Sequence, residues 1–576
     1  MIELKDCVKT YTTDQDKACS PVETVTRVKG LLAEKCAGVL DKTDRVDTGR
    51  LGIPVFVSTC GPEAKRFMPT RKQMGKGASP EQAEASALME LVERFSYFTF
   101  WADEDNFTRL TWSEAQKKWP GEVMDIAMIA RSVEEDISSE DAARLMDLHR
   151  WRFHPALNVA TGKHEYVPLD WFKKLNEFNG SSAGNTFEES IGQGGCELVE
   201  RHVCALIDRS RKVMPTIDPA SYSDPVLSRL AGCFEANGVK LVLKDFSLGQ
   251  PVPTVAAVAW DPKTFPGLSE IVFTAGTSSS PVKAAIRAVT EVAQLAGDFE
   301  TSRVYEASGL SKFTSLDDIQ WLLEGEMVPL DSLPTVEEPN IYNELMAMAE
   351  GLEKQGTPLY SVDTRHPDLM VTTNYNFVPG FDFRERTPHR SIGLFVGRIL
   401  AEDAEFGDAM EGLEVVEEIY PDAYFLPFFR GLLAMRMQDV EYAVEQFREA
   451  EPMQPADAER ALAAFYQGYA LSQLEEWEDA VAPLGRAIEL DAETKEYFNL
   501  RGVAHFKGGR YEEAAGDFRA ALDIDSGSPH DLANLGLCHK FMGNDAEALD
   551  YLGAALKLDP ELEYARNHYD ELVQSS

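Results

Sequence analysis

A period of 34 residues constrains the end of this 576-residue chain more tightly than any other feature of its sequence. Gly468, Gly502 and Gly536 are 34 apart, as are Ala480, Ala514 and Ala548, and again Ala487, Ala521 and Ala555. Pro560 closes the last copy. An earlier copy, Gly431, Ala443, Phe447, Ala450 and Pro455, keeps the same internal spacing at an offset of 37. Small residues at such intervals sit where paired helices approach closely, so each unit is a helix pair that buries its apolar face only by stacking on its neighbours. Four copies exceed the roughly three that a stable stack needs. Residues 431–576 are therefore predicted to form an all-α solenoid, and with 29 acidic against 12 basic side chains its surface is acidic.

The first 385 residues have a different texture. A helix start is written at Ser20-Pro21 with Glu23, a cap followed by proline and an acidic first turn. LGIPVFVSTC (51–60), VPTVAAVAW (252–260) and EIVFTAGTSSS (270–280) read as strands. PVKAAIRAVTEVAQLAG (281–297) and NELMAMAEGLEKQG (343–356) read as helices. Gly75-Lys76-Gly77 reads as a tight loop, and Gly180 to Asn185 as a polar, glycine-rich one. Such alternation predicts one large α/β (α+β) domain over 1–385, a helical linker over 386–430 and the repeats over 431–576.

The formal net charge of −40 argues against direct contact with nucleic acid or an anionic membrane. No run approaches the roughly 20 apolar residues of a membrane span. The start MIELKDCVKT lacks the features of a secretion signal, and the eight cysteines form no CxxC, so a cytoplasmic location with reduced thiols is expected.

The chemistry concentrates in NGSSAGNTFEESIGQGGCELVER, residues 179–201. Glu189, Gln193, Glu197 and Glu200 are spaced 4, 4 and 3 apart and fall on one helical stripe. Carboxylates crowded beside an apolar stripe repel one another unless cations or arginines stand between them. The pattern recurs: Ser86, Glu90, Glu93 and Arg94 form a second such segment, and Arg287 with Glu291 a third. Three helices bearing carboxylate and arginine could meet around a polyanion and its metals. The GKG at 75–77 is no P-loop, because the GxxxxGK[ST] spacing is missing.

Four blocks in this order resemble the YcaO superfamily: Ser86-x3-Glu90-x2-Glu93-Arg94, Ala183-Gly184-Asn185-Thr186-x2-Glu189, Gln193-Gly194-x2-Glu197-x2-Glu200-Arg201 and Arg287-x3-Glu291. The match spans roughly residues 15–385, and the 34-residue repeats resemble tetratricopeptide repeats. The resemblance is nearest to members with a helical tail linked to methylthiolation of a ribosomal protein. It implies ATP and Mg2+ as cofactors and activation of a peptide or protein backbone amide by phosphorylation, in thioamidation or cyclodehydration chemistry. It places Ser86, Asn185, Glu189 and Gln193 in the nucleotide pocket, Glu90, Glu93, Glu197, Glu200 and Glu291 on the magnesium side, and Arg201 and Arg287 on the phosphates. Lys17 and Thr24 fit an N-terminal phosphate contact. Phosphoryl transfer is mainly positioning and charge neutralisation, so no catalytic nucleophile is expected in the protein. Cys196 is read as a buried structural thiol, and His202 as a packing or hydrogen-bonding group. Azoline-forming relatives end in a proline-rich tail, whereas this chain ends DELVQSS. That shifts the expectation towards thioamide formation, or towards a non-catalytic accessory that binds ATP and serves a sulfur-inserting enzyme. The expected partners are a peptide or protein substrate, a sulfur-inserting enzyme or ribosomal protein on the repeats, and a second copy of the chain as a homodimer.

Overall fold

The computed structural model describes residues 1–47, 49–267, 269–296, 313–384 and 389–575. The chain divides into two compact units, one of Met1–Ser139 with Arg150–Pro388, the other of Glu140–His149 with His389–Ser576.

Among the described residues, three sheets build the first unit. A three-stranded antiparallel sheet runs β1 (Leu40–Arg45), β2 (Val55–Cys60), β3 (Lys72–Lys76). A six-stranded antiparallel sheet orders β4 (Thr108–Leu110), β5 (Trp151–Asn158), β13 (Tyr360–Asp363), β14 (Thr372–Phe377) and β7 (Ser181–Gly184), with β6 (Lys163–Pro168) also paired to β5. The third orders β11 (Val272–Thr277), β10 (Thr254–Trp260), β9 (Lys240–Asp245), β8 (Thr216–Ile217) and β12 (Met327–Val328), antiparallel except for β8 with β12. Ala257 of β10 faces Thr274 on one side and Leu243 on the other.

Strand β10 explains why VPTVAAVAW is apolar throughout: both faces of its sheet are covered. Val255, Ala257 and Ala259 pack with helices Pro225–Asn237 and Pro281–Ala296. Ala256 and Val258 pack on the opposite side with helices Phe187–Ser210 and Ile341–Lys354. A further core joins helices Pro21–Lys35 and Pro80–Ala102 to Val39 and Cys60.

Two expected loops are strands. Gly75 and Lys76 end β3, and Ser181–Gly184 is β7. Polar pairing holds β7 in place: Asn376 of β14 donates from Nδ2 to Ser182 Oγ at 2.9 Å and to the Gly180 carbonyl at 2.8 Å.

The second unit is helical. Its pairs include Leu426–Arg436 with Val440–Met453, Asp457–Gln473 with Trp477–Leu490, Lys495–Lys507 with Tyr511–Ile524, and Pro529–Phe541 with Asp545–Leu558. The recurring glycines are the points of closest approach. A Cβ added at Gly431, Gly468, Gly502 or Gly536 would lie 2.6, 2.5, 3.0 and 2.8 Å from Phe447, Leu484, Phe518 and Leu552 of the partner helix. Upstream, helices Ile392–Glu402 and Phe406–Ile419 make a similar contact, with Gly412 against Leu400.

Candidate nucleotide and metal site

Three strand–turn–helix units carry the three acidic segments. Strand β3 leads into helix Pro80–Ala102, β7 into Phe187–Ser210 and β11 into Pro281–Ala296. Each strand holds a glycine pressed on the backbone of the helix it precedes. A Cβ at Gly75 would lie 2.0 Å from Ala87 N, one at Gly184 2.5 Å from Ser190 N, and one at Gly276 2.5 Å from Ala284 O. Hydroxyls start the first two helices: Gln82 N–H donates to Ser79 Oγ and Glu189 N–H to Thr186 Oγ1, both at 3.2 Å.

The three helices and the N-terminal segment enclose a polar cleft of about 370 Å³, within the range of ligand sites. All thirteen residues expected at a nucleotide and its metals line it: Lys17, Thr24, Ser86, Glu90, Glu93, Asn185, Glu189, Gln193, Glu197, Glu200, Arg201, Arg287 and Glu291. At one end Lys17 Nζ lies 3.4 Å from Glu189 Oε1, and the Ala18 N–H donates to Glu189 Oε2 at 3.0 Å. Thr24 Oγ1 donates to Asn185 Oδ1 at 3.0 Å, and Asn185 Nδ2 donates to Glu189 Oε1 at 3.1 Å. In the middle, Arg287 Nη1 donates to Gln193 Oε1 at 2.7 Å. At the acidic end Arg94 lies 3.5 Å from Glu93 and 4.0 Å from Glu90, and Arg201 lies 3.8 Å from Glu197. Glu200 accepts from the Thr277 N–H at 2.9 Å, and Glu291 pairs with Lys76.

Burial pushes the Glu93 carboxyl up to about 8; Arg94 opposes this, and Glu197 and Glu90 add to it. Burial raises Glu90 and Glu200 as well. Burial, with Arg287 beside it, brings the Lys76 ammonium down to about 8. These shifts belong to a cleft that crowds charge away from water. Meanwhile Arg94 Nη1 and Arg287 Nε are buried without a hydrogen-bond partner among the described residues. Carboxylate oxygens facing a common space suit Mg2+, and unpartnered guanidinium N–H groups suit phosphate oxygens, so the donor set fits ATP with Mg2+.

Lys76 and Arg94 line this cleft but were not among the expected ligands. Lys76 sits in a polar run, KQMGK, whose β character apolar periodicity does not show. Arg94 was legible only as the end of its motif.

Cys196 and His202 have structural roles. Burial pushes the Cys196 thiol up to about 12. The His202 ring lies flat on Phe381 at 4.2 Å, and its Nδ1 accepts from the Asp382 N–H at 2.9 Å. Because the thiolate is the reactive form, Cys196 in the folded protein is expected to resist iodoacetamide near neutral pH and to react after unfolding. Peptide mapping of the alkylated protein checks this.

The family model described as YcaO cyclodehydratase, ATP- and Mg2+-binding, matches residues 74–382, and tetratricopeptide-repeat models match 465–529 and 532–562. An uncharacterized protein of Methanothermobacter thermautotrophicus is 28% identical over 367 residues, 61% of this chain and 92% of that protein. The ribosomal protein S12 methylthiotransferase accessory factor YcaO of Escherichia coli is 29% identical over 210 residues, 33% of this chain and 35% of that protein. Among solved structures, YcaO from Methanopyrus kandleri bound with AMPPCP and Mg2+ aligns at 23% identity and a TM-score of 0.48, covering 66% of this chain and 95% of that one. ATP and Mg2+ are the ligands of the matched family. With more than half its length matched by that model, the chain belongs to the YcaO family and carries tetratricopeptide repeats behind the family domain.

Proposed function

We propose that this protein uses ATP and Mg2+ to activate a backbone amide of a peptide or protein, in thioamidation or cyclodehydration-type chemistry. Residues 1–385 form the ATP-using domain, and 431–576 recruit a partner. The observation that carries this reading is the convergence on one cleft of six glutamates with Arg201 and with Arg94 and Arg287, the last two holding N–H groups that have no partner among the described residues. When bound, ATP supplies the phosphoryl group that makes an amide oxygen a leaving group, and Mg2+ neutralises charge on the phosphates. Glu90, Glu93, Glu197, Glu200 and Glu291 would hold the metal ions, each ion keeping some waters. Arg201 and Arg287 would grip phosphate through planar, always charged forks. Ser86, Asn185, Glu189 and Gln193 would face the nucleotide, with Lys17 and Thr24 closing over it. The acidic repeats suit a basic partner, because complementary charge steers association.

A second reading is favoured by the name of the Escherichia coli relative, an accessory factor for ribosomal protein methylthiotransfer. In it the protein binds ATP without turnover and serves a sulfur-inserting enzyme. Phosphate release by the full-length protein with ATP, Mg2+, sulfide and candidate peptides separates the two. Under the first reading release is measurable and falls at least a hundredfold in Glu90→Gln and in Arg201→Ala, each still folded. Nucleotide binding with no release under any peptide would leave the accessory reading standing and remove the first.

A further inference from the structure

Away from the nucleotide cleft, helix Pro21–Lys35 ends at Cys36, and the loop after β13 carries His366-Pro367-Asp368. Cys36 Sγ stands 3.9 Å from His366 Nδ1, and the ligand atoms of Cys36, His366 and Asp368 all lie within 4.8 Å of one another. On a tetrahedral zinc ion, with bonds of about 2.3 Å to sulfur and 2.0 Å to nitrogen, two such ligands stand about 3.5 Å apart. The side chains are thus already near ligand spacing.

We propose that Cys36, His366 and Asp368 form a binding site for a zinc-class divalent ion, separate from the magnesium carboxylates. The donor chemistry selects the ion: thiolate and imidazole favour zinc-like metals, whereas the nucleotide cleft offers the oxygens that magnesium prefers. The histidine is prepared for the role. Its ring stacks on Phe95 at 5.1 Å and 29°, which fixes its plane. Its Nδ1, the nitrogen that faces Cys36 Sγ, also accepts a long 3.3 Å hydrogen bond from the Asp368 N–H, a contact that a metal at this nitrogen would replace. Cys36 lies at the carbonyl end of its helix, where the helix dipole favours a cation.

Cys36 and His366 both line a cavity of about 590 Å³ that also reaches Glu63, Thr99 and Asp103. Two of the three protein ligands face this space, and a three-ligand site there would leave a fourth position for water or an exogenous ligand. The ion would tie the end of the helix whose first turn brings Thr24 to the nucleotide cleft.

Cobalt(II) is the probe, because its thiolate complexes absorb. Metal-stripped full-length protein titrated with Co2+ is expected to develop a sulfur-to-cobalt charge-transfer band with tetrahedral d–d bands at one equivalent, and to lose them on addition of Zn2+. Cys36→Ala should abolish the band. Asp368→Asn, at an exposed position that threatens no core, should weaken Co2+ binding at least about tenfold. Circular dichroism checks that each variant is folded. Absence of the band in the wild type, its survival in Cys36→Ala, or an unchanged affinity in Asp368→Asn would overturn the site and leave a thiol–imidazole contact only.

Discussion

Replacing Glu93 with glutamine is expected to stabilise the ligand-free protein at about pH 9 and to abolish its stabilisation by Mg2+ with ATP. Burial and neighbouring glutamates hold the Glu93 carboxyl near 8 in the folded protein, against an ordinary value of 4.5. The folded state therefore binds this proton more tightly than the unfolded chain. Its effect is to weaken folding as pH rises from about 4.5, and that weakening is complete above about 8. Each pKa unit corresponds to about 1.4 kcal/mol, so the effect is on the order of a few kcal/mol. A glutamine has no proton to lose, and melting temperatures measured from about pH 5 to 9 should fall less steeply in the variant. Bound Mg2+ would displace the same proton. Calorimetry in buffers of different ionisation heat should then detect proton release on binding, and affinity should climb with pH up to about 8. Parallel pH profiles for wild type and variant would remove Glu93 as the source.

Gly75→Ala is expected to cost the first unit about 3 kcal/mol, the upper end of overpacking penalties. The new methyl would lie 2.0 Å from Ala87 N and 2.4 Å from Ala83 O. Neither atom is the end of a flexible side chain, so β3 must lift from helix Pro80–Ala102, which brings Glu90 and Glu93 to the cleft. Denaturant unfolding followed by tryptophan fluorescence reports on this unit, since only Trp477 of the eight tryptophans lies beyond residue 389. Gly30→Ala is the matched control. It lies in helix Pro21–Lys35 of the same unit with nothing within 4 Å of the added methyl, and should stabilise by about 0.5–1 kcal/mol. Equal small effects at both positions would show that the close approach of β3 is not essential.

What could be read from the sequence follows from which forces leave a periodic trace. The repeat glycines were legible because each marks a helix crossing, and the structure puts each against its partner helix. The cap at Ser20 was legible because a capping box is local: Glu23 N–H donates to Ser20 Oγ, and Glu23 answers at the Ser20 N–H. The stripe from Glu189 to Glu200 does line one cleft. Strand β7 was hidden because Ser181 and Ser182 are buried through pairing with β14, about 190 residues away in sequence, and not through hydrophobicity. Lys76 was hidden for a related reason. A lysine between two glycines looks solvated, and only the fold shows that helices carrying Glu90, Glu200 and Glu291 surround it.

Helix Phe187–Ser210 also has a phase. Each residue advances about 100° around its axis, and Glu189, Gln193, Glu197 and Glu200 keep step with that rotation. One residue inserted between Gly195 and Cys196 would leave Glu189 and Gln193 where they are and swing Glu197 and Glu200 about 100° away. The same slip would lift Leu198 and Val199 out of the core. Members that share this cleft should therefore differ by substitution along the helix and vary in length only beyond its ends.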